Sequence, residues 1–254
     1  DCATRNGYSV ISANSHESHK LEEKAIDNFY SMHVDGIISC LAQDTTDYTH
    51  YEQMAKLDMP LVFFRRTCLP DLFSQVVANG DEAAYNATNH MLEMGAKRVA
   101  FIGGPNHLDM VKRRKHGYLQ ALRDARIVID RDLVVCGKID FDVARQATIA
   151  LLQTQKRPDA ILAFNDILTY AAFDAIKSQN LRIPEDVAII GFTDGDNSAF
   201  VTPRLSAIMD QAHEQGFTAC ELLIRRIEGD RKIYKKIVPM ILKFRESSEI
   251  VKNQ

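Results

Sequence analysis

The chain has 254 residues, 46% of them hydrophobic and 26% charged, with 31 basic against 34 acidic side chains and a formal net charge of −3. That composition supports a substantial globular core, and the charge balance excludes a general attraction to nucleic acid or anionic membrane. No apolar run reaches bilayer-spanning length, Asp1–Tyr8 is not a secretory leader, and Cys2, Cys40, Cys68, Cys136 and Cys220 form no CxxC pair, which fits reduced, buried thiols in the cytoplasm better than a disulfide framework.

Asp1–Asn6 reads as the tail of a helix stopped by Gly7, and Tyr8–Ala13 as a strand. A polar helix is predicted over His16–His33, a strand over Val34–Leu41, a helix over Tyr48–Leu57 and a buried strand over Pro60–Phe64. Ser74–Ala78 is a further short strand. Asp81–Met94 is a helix with Ala84, Ala87, Met91 and Met94 on one face, stopped by Gly95.

The pattern then restarts. Arg98–Gly103 is a strand, Val111–Ala125 a helix, Leu133–Cys136 a strand, and Phe141–Gln153 a helix whose inner face is Val143, Ala147, Ala150 and Leu151. Ala160–Phe164 is a short apolar strand. The helix after it carries Ile167, Leu168, Ala171, Ala172, Ala175 and Ile176 at helical spacing. Val187–Phe192 is a fourth buried strand and Leu205–Met209 an extended segment. Gln211–Ile227 is a helix facing inward through Cys220, Leu223, Ile224 and Ile227, and Lys232–Phe244 is extended.

Strands alternating with helices predict an α/β protein with mostly parallel sheets, and two successive runs predict two doubly wound lobes. The chain should cross between them near Glu93–Lys97, Ala207–Gln211 and Val238–Lys243. This gives residues 1–95 with 211–237 in one lobe, and 96–210 with 238–254 in the other. The second run opens with a strand and a helix but the first only with a helix tail, so a unit of ~20 residues is expected upstream, as part of a longer protein.

The motifs exclude several chemistries. Gly103-Gly104-Pro105 lacks both the P-loop and dinucleotide patterns. His16-Glu17-Ser18-His19 is one residue short of HExxH and has no third ligand nearby, so no metal is expected there. Asp194–Ser198 lacks the glycine and glutamate of a calcium loop. No nucleophile elbow or Cys/His pair suggests an enzyme, and no cofactor is implied. Two positive indications remain. Asn165, at a strand-to-helix turn, either caps the helix or faces a ligand. Within Lys112–Lys115 the arginines either lie in water, or one turns inward to grip hydroxyls or an anion.

Taken together, Val34–Ile38, Pro60–Arg66, Ala84-Tyr85 through Gly95, Arg98–Pro105, Arg114–Tyr118, Pro158–Asp166, Leu181–Phe192, Thr202–Leu205 and Arg245–Ser247 resemble the lactose/galactose-repressor (LacI/GalR) family, in order and over nearly the whole chain. The resemblance implies a periplasmic-binding-protein-like (type I) effector domain with an interlobe cleft and three crossovers. It also implies a homodimer, and operator DNA bound only through an upstream helix-turn-helix that this sequence lacks. It carries effector contacts onto Arg114 and Asn165, and it places Ile139 and Phe141 at the aromatic-bearing turn of the second lobe.

Three acidic positions of the family pattern differ here. Thr193 stands where an aspartate is usual, with Asp194 one place later. Arg65-Arg66 replaces an Asp-Arg pair, and Asn79-Gly80 replaces Asp-Asn. Carboxylates commonly accept hydrogen bonds from sugar hydroxyls, so the expected effector is a sugar or a more anionic derivative, a uronate or sugar phosphate. Arg114 would hold it, with help from Arg65 or Arg66; the alternative is that Arg65 faces solvent and Asp194 does the missing work. The rival implied by the shared fold is an extracytoplasmic sugar-binding protein of a transport system.

Overall fold

The computed structural model describes residues 2–193 and 196–249. In chain order it runs through α1 (Cys2–Arg5), α2 (His19–Ser31), β1 (Ile37–Ser39), α3 (Thr49–Lys56), β2 (Leu61–Phe64), β3 (Ser74–Ala78) and α4 (Gly80–Glu93). There follow β4 (Val99–Gly103), α5 (Asp109–Asp124), β5 (Val134–Cys136), α6 (Phe141–Leu152), β6 (Ala160–Ala163), α7 (Asp166–Ser178) and β7 (Ala188–Phe192). The chain ends with β8 (Ser206–Met209), α8 (Ala212–Ile227), β9 (Lys235–Val238) and β10 (Ile241–Lys243).

Packing divides these elements into two compact units. One comprises Asp1–Ala78 with Gln211–Val238, the other Asn79–Asp210 with Pro239–Gln254. Among the described residues the strands form two sheets, in the orders β1-β2-β3-β9 and β10-β8-β7-β6-β4-β5.

In the first unit all pairings are parallel. Parallel sheets need apolar cover on both faces, and β2 supplies it by alternation. Leu61 and Phe63 pack with Ile26, Tyr51 and Met54 from α2 and α3. Val62, between them, packs with Val76 and with Ala219, Leu222 and Leu223 of α8. Gly36 is required beneath α8, because a Cβ there would come within 2.8 Å of Leu223. The strand expected at Tyr8–Ala13 does not form: among the described residues no strand pairs with it, its Tyr8 N–H donates back to the Ala3 carbonyl, β1 is bonded to β2 alone, and Val10 is 77% exposed.

In the second unit β4, β5, β6, β7 and β8 are parallel neighbours and β10 closes one edge antiparallel to β8. The middle strands β4, β6 and β7 are buried throughout. One helix presents a different face from that expected, and a second departs from it at a single position. Helix α6 buries Ala144, Thr148, Leu151 and Leu152 and leaves Val143 half exposed, and α7 leaves Ile167 exposed. Both helices are apolar on more than one side, so a 3.6-residue period fits several stripes and the strand surface decides which is covered.

The expected first crossing, near Glu93–Lys97, moves upstream to Ala78–Asn79 because α4 packs against α5 and groups with the second unit. Gly117 makes that approach possible: a Cβ there would collide with the Asp81 carbonyl oxygen. Backbone cannot give way as a side-chain tip can, so Gly117→Ala should lower the unfolding free energy by about 3 kcal/mol. Gly137→Ala, where a Cβ meets nothing within 4 Å, should change it little. Denaturant midpoints of the two variants check this, and equal midpoints would refute the tight α4–α5 packing.

Candidate functional site

In the second unit the chain runs from β4 outward to β5, then returns across β4 to β6 on its other side. Such a reversal opens a crevice at the carboxyl ends of the two flanking strands, and ligands of open α/β sheets bind there. Gly104 follows β4 and Phe164-Asn165 follows β6, so these residues line the switch point. Gly104 packs closely: a Cβ on it would meet Ile139 at 3.0 Å and Val111 at 3.3 Å.

Arg114, in the second turn of α5, turns inward to this point and is only 3% exposed. Its Nη1 donates to the Phe164 carbonyl at the end of β6. Its guanidinium lies over the Phe192 ring, 3.8 Å from the centroid, and over Phe164 at 4.8 Å. The buried Asp210 carboxylate, just after β8, stands 3.8 Å from Nη2. A buried guanidinium is costly unless its charge is met and its donors are used, and ring faces, a carbonyl and a carboxylate all lie against this one. Gly80 leaves it room, since a Cβ there would lie 3.3 Å from Arg114 Cγ.

Around Arg114 the structure gathers most of the residues anticipated in this unit. Of the two alternatives for Asn165, the structure shows the cap: its Oδ1 accepts from the Leu168 N–H at 3.0 Å at the start of α7. Thr193 is buried at the end of β7, and its N–H donates to the Ile208 carbonyl. Ile139 and Phe141 sit beyond β5, with Phe141 opening α6 after the Asp140 cap and 41% exposed. Phe141 is thus an apolar face open to stacking. Asp194 lies outside the described residues.

Arg65 and Arg66 belong to the first unit, after β2. Arg65 takes a left-handed φ of 59° while its N–H donates to the Val76 carbonyl. Arg66 is held by both oxygens of Glu17, each at 2.8 Å, and Glu17 also accepts the Gln43 N–H at 2.8 Å. A second carboxylate, Glu22, accepts the Ala42 N–H at 2.5 Å, the Thr45 hydroxyl at 2.9 Å and His50 Nε2 at 3.1 Å. Sequence reasoning missed Glu17, Glu22, His50 and Asp210. No local pattern pointed to these pairings, because their partners lie far away along the chain.

Residues 88–248 match the model of the periplasmic binding protein-like domain. The chain is 29% identical over 228 residues to the HTH-type transcriptional repressor CytR of Escherichia coli, covering 89% of this chain and 66% of that protein. It is 28% identical to the ribose operon repressor of Halalkalibacterium halodurans, over 98% of this chain and 73% of that one. Among solved structures, the transcriptional regulator CelR in complex with cellobiose superposes with a TM-score of 0.87 at 25% identity, over 96% of this chain and 75% of CelR. The chain belongs to the periplasmic binding protein-like family, among the LacI-type regulators. It spans about two thirds of the length of the CytR relative.

The segments through which this LacI-type domain resembles its family have separate structural tasks. Asp159 accepts the Lys97 and Arg98 N–H groups, both at 2.8 Å, and so sets the start of β4. Arg182 and Asp186 close the turn before β7 on each other. The Thr202–Leu205 and Arg245–Ser247 segments pair: Arg204 is bound by Glu246, and the Ser247 hydroxyl reaches the Ile189 carbonyl at 2.6 Å. In the first unit, burial pushes the Glu17 carboxyl up, but the Arg66 hydrogen bonds and charge and the Gln43 N–H more than offset it and hold it below its ordinary value.

A carboxyl lowered on folding contributes stability that is fully present above its unfolded value, about 4.3, and is lost as pH falls through the folded value. Glu17→Gln should therefore cost of order 1 kcal/mol or less at neutral pH, since the pair is partly open to screening water. The gap from the parent should close as pH falls from 6 to 3. Denaturant midpoints across that range check this; a gap independent of pH would show that Glu17 titrates alike in both states.

Proposed function

We propose that this chain is the effector-sensing domain of a bacterial LacI-type transcriptional regulator, taking a small sugar or sugar derivative at the Arg114 crevice. The observation that carries the reading is the Arg114 guanidinium, buried at a topological switch point and bonded to the carbonyl of Phe164, next in the chain to Asn165; Phe141, exposed at the start of α6, adds an apolar ring in the same unit. That set of groups suits a hydroxyl-rich ring: a fork of donors, an amide and an apolar face. The cellobiose carried by CelR supports the same ligand class.

Two of the three arginines expected to favour an anionic effector face a carboxylate, Arg66 with Glu17 and Arg114 with Asp210. Asp210 also supplies an acceptor of the kind that sugar hydroxyls use. These pairings favour a neutral sugar over a uronate or sugar phosphate. Effector binding would bias a two-state equilibrium in the domain, read out by a DNA-binding segment preceding this chain in a homodimeric, cytoplasmic regulator with no catalytic step. No described helix is long and apolar enough to cross a membrane.

The test is thermal unfolding of the intact protein against neutral sugars, uronates, sugar phosphates and nucleosides. A ligand of the folded state at a hundredfold excess over its Kd should add ~2.7 kcal/mol of stability. That gain should vanish in Arg114→Ala and weaken in Asn165→Ala, a variant whose only structural cost is a helix cap of ~1 kcal/mol. A gain that survives both substitutions would place the ligand elsewhere, and turnover of the ligand would show an enzyme instead.

A further inference from the structure

We propose that His19, Glu22 and His50 form a binding site for one divalent transition-metal ion, of the zinc, cobalt or nickel class, at the carboxyl end of β1. The three come from different parts of the first unit. His19 opens α2, Glu22 follows one turn later on the same face, and His50 lies in the first turn of α3. One donor atom from each falls within 4.8 Å of the others. His16, which the sequence placed beside His19, takes a left-handed φ before the helix starts and is not in the group.

Three features favour an ion over a purely structural cluster. Glu22 and His50 are nearly fully buried, so the carboxylate and imidazole meet in a medium where a cation is strongly attracted. Their Nε2–Oε1 separation is 3.1 Å, close to the ~3.3 Å edge of a tetrahedron whose ligands stand about 2.0 Å from a zinc ion. And His19 Nδ1 is buried with no hydrogen-bond partner among the described residues, a deficit that native interiors rarely leave. Two imidazoles and a carboxylate suit borderline metals and not calcium or magnesium, which take oxygen donors.

The surrounding groups hold the donors in place as metal sites require. The Ala42 N–H and the Thr45 hydroxyl fix the two Glu22 oxygens. The Asp44 carboxylate accepts the His19 N–H at 2.6 Å and anchors the start of α2. The ion would sit between Glu22 and His50 Nε2, with the neutral imidazole carrying its single proton on Nδ1. Three protein donors leave a fourth position for water or a ligand atom. The site uses none of the residues of the Arg114 crevice, so either can fail without the other.

The experiment is titration of the intact, chelator-stripped protein with Co2+, followed by visible absorption, and with Zn2+, followed by calorimetry. The expected result is one equivalent bound per chain, with a tetrahedral cobalt spectrum that Zn2+ displaces. Affinity should fall at least tenfold in His19→Ala and in the isosteric Glu22→Gln, and should not change in His16→Ala. His19 is only partly buried, so its variant should keep the parent's circular dichroism. No stoichiometric binding, or binding equally tight in His19→Ala and Glu22→Gln, would overturn the proposal and leave a metal-free His50–Glu22 hydrogen bond in its place.

Discussion

The second unit is built around the burial of one positive charge. A guanidinium inside a protein is costly unless its donors are used and its charge is balanced, and four elements bring groups to bear on Arg114. Helix α5 carries it, the end of β6 gives it a carbonyl, Phe192 at the end of β7 gives it a ring face, and Asp210 after β8 gives it a carboxylate. Each contact comes from a strand end, so the charge ties together the edge of the sheet where an open α/β fold binds its ligands. A side chain already clamped by its neighbours has little rotamer freedom left to lose when a ligand arrives.

The first unit treats the corresponding edge of its sheet differently. There carboxylates do the fastening: Glu17 and Glu22 reach from the start of α2 to the loop after β1 and take its Gln43 and Ala42 N–H groups. Glu17 then holds Arg66 after β2, and Glu22 holds His50 on α3. Loops after β-strands carry unpaired backbone donors that must find acceptors when they are covered, and here the acceptors are charged. The result is a strand edge rich in titratable groups at short range.

Most of the element order was legible, because buried parallel strands and amphipathic helices have distinct periods. β3 matches its expected span, and β2, β6 and β7 lie within a residue or two of theirs. What failed was whatever depends on a partner distant in the chain. Tyr8–Ala13 has a strand's composition but no neighbouring strand, and composition alone makes no ladder. Val143 has the right polarity for a core and sits on the wrong side of α6. Arg66 reads as an available cation until Glu17, 49 positions away, is placed against it. The turn that holds Asn165 was legible from a local pattern of strand, turn and helix, and the resemblance singled out Arg114 from its basic run; the pairing of Glu22 with His50, and of Asp210 with Arg114, was not legible, since nothing local ties such pairs together.

Strands β9 and β10 are separated by only two residues, Pro239 and Met240, yet they belong to different sheets. Neither unit is therefore a continuous stretch of chain. A fragment ending at Asp210 would deprive the first unit of α8, which covers one whole face of its sheet, and the second of the serine that reaches into β7. Removing everything after Asp210 would leave two incomplete cores and not one intact domain. For the same reason, neither unit can complete its core until both of the segments that follow Asp210, α8 with β9 and β10 with Ser247, have been made.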